Sequence, residues 1–213
     1  MAKRSSANPV IADWQPPAGK SASRFSSARL DPATKPWSYG DKESDKAAVD
    51  ALAIELDSLQ DLFYAYQRFK LLVVLQGTDT SGKDGTVRGV FSRTSPLGVH
   101  TLGWKAPNEE ERARDFLWRI HKAMPGAGET MIFNRSHYED VLVPVVNQWA
   151  DYQKAYEAFL LITSTPNAPW TVVPANSKTH RNLMIATVVR DILKKLKLRY
   201  PPSDPGLKGL VIA

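Results

Sequence analysis

A chain of 213 residues with 43% hydrophobic and 23% charged side chains has the length and composition of one globular domain, and no apolar run approaches the ~20 residues of a membrane span. The absence of cysteine excludes disulfides, thiolate catalysis and cysteine-based zinc sites. It fits a reducing compartment, and with no signal-like apolar stretch behind Met1 a cytoplasmic location is expected. A net charge of +6 and a pI near 9.5 favour anionic partners such as nucleotides, inorganic polyphosphate, head groups or nucleic acid, without choosing among them.

Residues 1–43 are rich in Ser, Ala, Pro and basic side chains and hold no apolar period, so a disordered or extended arm is expected there. A domain is expected over 44–213. It opens with a helix over 44–68, because Val49, Leu52, Leu56, Leu59, Phe63 and Tyr66 recur at steps of three and four. The run KLLVVLQ, residues 70–76, reads as a strand covered on both faces, as in a parallel sheet. Weaker strands are expected at 99–102, 130–133 and 170–173. Between them, helices fit 86–93, a segment after Pro107 with Asn108 as N-cap and Glu111 three residues on, 149–161 and 182–196. The segment after Pro107 is expected to carry Phe116, Leu117 and Ile120 inward. Alternating strands and helices predict a layered α/β domain with a mainly parallel sheet.

Residues 77–83, GTDTSGK, match G-x-x-x-x-G-K between the strongest strand and a helix, the setting in which this pattern grips phosphate. Glycines let several backbone N–H groups point inward, and the helix N-terminus adds positive potential. The phosphate-binding set expected here is Gly77, Thr78, Thr80, Ser81, Gly82, Lys83, Asp84, Gly85 and Thr86. Asp84 stands where common phosphate loops carry the hydroxyl that binds Mg²⁺, and Asp79 lies inside the loop. A carboxylate among phosphates needs a cation between them, so Asp79 is assigned to Mg²⁺; Asp84 either assists or caps the following helix. Arg88, Arg93, Lys105, Arg112, Arg114, Arg119 and Lys122 offer a cationic track, with Arg119 and Lys122 preferred. His100, His121, His137 and His180 show no metal-ligand spacing, and the tryptophans read as core.

The stretches LQGTDTSGKDGTVRGVF, KAPNEEERARDFLWRIHKAMP, IFNRSHYEDVLV and APWTVVPANSKTHRNLMIATVV resemble the polyphosphate kinase 2 family, in particular its branch that phosphorylates AMP and ADP. The likeness runs over about 29–212. It implies a three-layer kinase-like fold with a phosphate loop, and Mg²⁺-dependent phosphoryl transfer between inorganic polyphosphate and AMP, ADP or ATP. It also implies a homo-oligomer. By the same resemblance Asp79 serves metal and catalysis, Lys83 binds phosphate and Arg135 faces the phosphates. Asn134 stands where another branch has the aspartate that ligates Mg²⁺, and Glu139 matches a nucleotide-handling position.

One departure is expected. After Gln148 the family continues for several dozen residues, with a basic lid and an apolar strand that lies between the loop strand and the last strand. Here Gln148 runs straight into Trp149, so the lid module and that strand are expected to be missing, and residues 170–173 must pair directly with the loop strand or leave exposed ladder groups and a gap. Two alternatives to an active kinase follow: an impaired remnant that binds polyphosphate or nucleotide, and an ATP-dependent small-molecule kinase. Nucleic-acid binding rests on the pI alone.

Overall fold

A computed structural model describes residues 14–16, 30–78, 80–138 and 149–203. Helix α1 (Lys42–Tyr66) starts where the Asp41 carboxylate accepts from the Ser44 amide, and it ends at Gln67 in the left-handed conformation, its N–H on the Phe63 carbonyl. Its buried residues Val49, Leu52, Leu56 and Phe63 are those the three-and-four spacing placed on one face. Strand β1 (Leu71–Leu75) leads through the glycine loop into α2 (Lys83–Phe91). Strand β2 (Val99–Gly103) and the short helices α3 (Glu109–Arg112) and α4 (Trp118–Lys122) follow. Strand β3 (Thr130–Asn134), α5 (Trp149–Thr163) and α6 (Lys178–Lys195) complete the described elements.

The three strands form one parallel sheet in the order β1-β3-β2. Leu71, Val73 and Leu75 turn toward the core built from α1, α2 and α6, as period-two alternation requires. In β3, Ile132 joins that core, while Phe133 meets Trp104 edge to face with centroids 5.1 Å apart. A polar tie crosses the helix–sheet boundary. The Thr130 hydroxyl donates to Gln60 Oε1 at 2.8 Å, and Gln60 Nε2 donates to the Gly98 carbonyl at 3.0 Å, all in buried surroundings. A satisfied buried pair of this kind fixes the register of α1 on the sheet, because sliding it would leave both groups unpaired.

Four expectations need correction. Residues 170–173 form no strand; the Val172 N–H donates to the Trp14 carbonyl at 2.8 Å, so this backbone is paired with the chain's early segment and not with β1. As a result β1 lies at the edge of the described sheet, the second of the two expected outcomes, and is half-buried along its length, not covered on both faces. The segment after Pro107 has the expected capping box at Asn108 and Glu111, but it breaks into α3 and α4, and Phe116 is 53% exposed with Leu117 exposed as well; only Ile120 is buried. Part of the expected arm also packs on the domain. Trp37 is buried, its N–H donates to His180 Nε2 at 3.1 Å, and buried Asp45 accepts from the Tyr39 N–H and the Ser38 hydroxyl. Among the described residues no helix is long and apolar enough to cross a membrane.

His180 is fully buried, and burial is the main cause that holds its pKa below the usual value, with Asp45 opposing. The unfolded chain therefore takes up this proton first as pH falls below about 6.5. Stability associated with neutral His180 is complete above that value and declines as pH falls toward the folded-state pKa. Thermal unfolding at pH 7.5 and 5 should show a larger loss for the wild type than for His180→Gln, which keeps an acceptor but cannot titrate.

Candidate active site

Parallel register brings the carboxyl ends of the three strands to one line. Leu75 and Gly103 each pair with Asn134 on the central strand. The loops that follow them therefore open at the same edge, where ligands of parallel α/β sheets bind. A cavity of about 560 Å³ lies there, lined by Thr80, Gly82, Lys83, Asp84, Asn134 and Arg135 from the expected set, together with Trp104 and Lys105.

The loop is held by local chemistry. Thr80 and Gly82 have positive φ, 65° and 88°. The Lys83 ammonium folds back to donate to the Gly77 and Thr78 carbonyls at 2.8 and 2.9 Å. Helix α2 has Gly82 as N-cap and no side-chain cap, which leaves its first amides for another acceptor. The loop's base is fixed by Gln76, which donates to the Tyr156 hydroxyl and accepts from Ser136 Oγ, both at 3.1 Å. Arg135 also sits in the left-handed region, φ 72°, with its N–H on the Leu75 carbonyl at 3.0 Å. That bond carries the chain leaving β3 across to the end of β1 and brings Arg135 to the cavity.

Asp84 is exposed in the first turn of α2, and its carboxylate accepts from the Asn134 side-chain amide. The choice left open for Asp84 is thereby narrowed: Gly82 holds the cap position, so Asp84 does not cap the helix. Gly77, Thr78, Ser81 and Gly85 shape the loop without lining the cavity. The Thr86 side chain is 1% exposed and its hydroxyl donates to the Gly82 carbonyl, supporting the loop from beneath. Asp79 and Glu139 lie outside the described residues.

The preferred track residues separate. Arg119 is 8% exposed; its guanidinium donates to the Lys105 carbonyl at 2.9 Å, lies 3.6 Å from Glu111 and stacks on Trp104 at 4.9 Å. It is a strut that holds the loop after β2 and does not line the cavity, a geometry that residue type alone could not reveal. Lys122 is exposed with its ammonium 4.3 Å from the Trp118 ring. His137 stacks with Tyr138 and Phe116 at centroid distances of 4.1 and 5.4 Å, and no described group of three or more His, Asp or Glu is arranged for a metal.

Sequence reasoning missed Arg181. This side chain reaches from α6 to α2, where a Cβ on Gly82 would stand 1.8 Å from its Nη1 and one on Gly85 would stand 3.0 Å from its Nη2. A signal was present: Gly82, Gly85 and Gly89 fall on one helical face, although helix-interior glycine costs about 1 kcal/mol. Gly40→Ala and Gly82→Ala should separate strain from contact. Gly40 has φ 118° with nothing within 4 Å of a Cβ, whereas Gly82 has both positive φ and Arg181. Chemical denaturation should show the larger loss for Gly82→Ala, on the order of 1–3 kcal/mol.

The family model described as polyphosphate kinase 2 (PPK2) matches residues 39–148 and 144–201. The AMP/ADP-polyphosphate phosphotransferase of Meiothermus ruber is 34% identical over 259 aligned positions, covering 89% of this chain and 96% of that protein. An ADP-polyphosphate phosphotransferase of Rhodopseudomonas palustris is 26% identical, covering 79% of this chain and 86% of the other. Among solved structures, polyphosphate kinase 2 from Arthrobacter aurescens TC1 superposes with a TM-score of 0.78 at 30% identity, covering 85% of this chain and 89% of that one. Its strand–loop–helix phosphate grip and parallel sheet are thus found with the sequence of one particular group of kinases, and the chain belongs to the polyphosphate kinase 2 family.

Proposed function

We propose that this protein transfers a phosphoryl group between inorganic polyphosphate and AMP or ADP, with Mg²⁺. The observation that carries the reading is the convergence of the uncapped α2 N-terminus, Lys83 and Arg135 on one cavity at the carboxyl edge of the sheet. The activities for which the Meiothermus ruber and Rhodopseudomonas palustris relatives are named support it. Phosphoryl transfer asks the protein chiefly for positioning and positive charge, and this edge supplies both.

In the forward direction an oxygen of the acceptor's terminal phosphate forms a bond to the end phosphorus of polyphosphate. The bridging P–O bond breaks, and its electron pair leaves with the shortened polyphosphate. Lys83 binds a phosphate oxygen in place of the Gly77 and Thr78 carbonyls it now meets. Arg135 has the planar fork for two-point contact with a phosphate. The donor set also suits Mg²⁺, which takes hard oxygen ligands and keeps several waters: Asp84 offers a carboxylate, and Asn134 keeps its carbonyl oxygen while its amide donates to Asp84. These two would hold the ion, joined by Asp79 on the sequence assignment. When bound, Mg²⁺ neutralises charge on the phosphate oxygens. A homo-oligomer belongs to the same proposal and rests on the family resemblance.

A second reading, binding without turnover, is favoured by one observation. The 259 aligned positions with the Meiothermus ruber protein exceed the 213 residues of this chain, and the two family matches meet at 144–148, next to the expected loss of the lid. A closing lid excludes water and completes the charge around the moving phosphoryl group.

Luciferase detection of ATP from ADP, polyphosphate and Mg²⁺ separates the two. The kinase reading expects a signal that falls by about 10²–10³-fold in Lys83→Ala and Asp79→Ala. Polyphosphate retention on a filter with no ATP above those variants selects binding without turnover. Neither signal nor retention rejects both.

A further inference from the structure

Arg181 is 5% exposed, yet no described carboxylate pairs with it. Its Nε and Nη2 donate to the neighbouring Asn182 Oδ1 at 3.3 and 3.1 Å, and Nη1 has no hydrogen-bond partner among the described residues. Burial is the sole cause that pulls its pKa below the ordinary value. A buried guanidinium with no described carboxylate beside it is expensive, and burying it in one particular place needs a reason.

The place is the N-terminal turn of α2. Nη1 lies against Gly82, the N-cap, and Nη2 against Gly85, while Asn182 occupies the space a side chain on Gly89 would fill. A helix N-terminus carries about half a positive charge, so a cation there is repelled. The acid in that turn, Asp84, is bonded to Asn134. Lys83 adds a second full charge within the same turn. Without a bound anion, Arg181, Lys83 and the helix N-terminus together outweigh the one described carboxylate of the turn, Asp84, whose charge the neutral Asn134 amide does not cancel. An anion seated on the loop amides reverses the sign of that balance, because each cation then faces a negative charge.

We propose that Arg181 is a positioning residue of the phosphate site: a third positive source, fixed behind the loop by the glycine face of α2, that raises the loop's affinity for polyanionic phosphate. It acts through the loop and does not line the cavity. This rests on the reading of the loop as a polyphosphate site. It also accounts for glycine at 82 and 85, since any side chain there would displace the guanidinium.

The test measures unfolding temperature and polyphosphate affinity at low salt for the full-length wild type, Arg181→Met, Arg181→Gln and Arg181→Lys. Without ligand, the Met or Gln variant should unfold at or above the wild-type temperature, since a repelled buried charge is gone. Its polyphosphate-induced rise in unfolding temperature should shrink, and its Kd should weaken by about tenfold. Arg181→Lys, which keeps the charge, should stay within about threefold of wild type. A fall in ligand-free unfolding temperature in both Met and Gln variants with unchanged affinity would make Arg181 a structural strut and overturn the proposal. Arg181→Lys binding as weakly as Arg181→Met would also overturn it, because charge would not be the operative property. Polyphosphate that binds the wild type and all variants alike sinks this inference alone, whereas no binding to the wild type sinks the polyphosphate reading and this inference together.

Discussion

Everything at the candidate site depends on strand register. Thr130 pairs with Leu71 on one side and Val99 on the other, and four residues on, Asn134 pairs with Leu75 and Gly103. Because the strands are parallel and in step, the loops beginning at Gln76, Trp104 and Arg135 leave the sheet together. A slip of one residue would turn every strand side chain to the opposite face, moving Ile132 out of the helical core and Phe133 away from Trp104. The Gln60 bonds to Thr130 and Gly98 guard against such a slip, since they join α1 to the start of β3 and to the residue before β2.

At the proposed phosphate site, cationic groups and helix amides gather around one loop. Lys83 rests on carbonyls, the α2 amides lack a side-chain cap, and Arg181 is buried behind the loop with Asn182 as its hydrogen-bond partner among the described residues. By contrast, Arg119 has had its charge spent on structure, with a carbonyl, a carboxylate and an aromatic face around it. Two arginines of similar burial thus differ in their surroundings: among the described residues a carboxylate lies beside Arg119 and none beside Arg181.

Much was legible because it is local. The phosphate loop is a short contiguous pattern between a strand and a helix. The α1 face follows from side-chain spacing, and the Asn108–Glu111 capping box joins groups three residues apart. Residues 170–173 failed as a strand for a complementary reason: β-branched character shows that a segment can extend, but only a neighbour with free backbone groups makes it a strand. Here its partner is Trp14, and β1 is left at the described edge. Phe116 and Leu117 failed similarly, since an apolar pattern cannot show that the helix breaks between Arg112 and Trp118.

The sequence by itself determined the family, the parallel α/β class and the phosphate-loop pattern, because these reside in contiguous residues whose meaning survives without a fold. Tertiary structure alone decided that Asn134 bonds to Asp84, that Arg119 is buried, that Thr86 lies beneath the loop and that Arg181 stands against Gly82. Those facts join residues 50 to 100 positions apart or turn a side chain inward. Their energies come from desolvation and close contact, which exist only once α6 and the sheet have closed around α2.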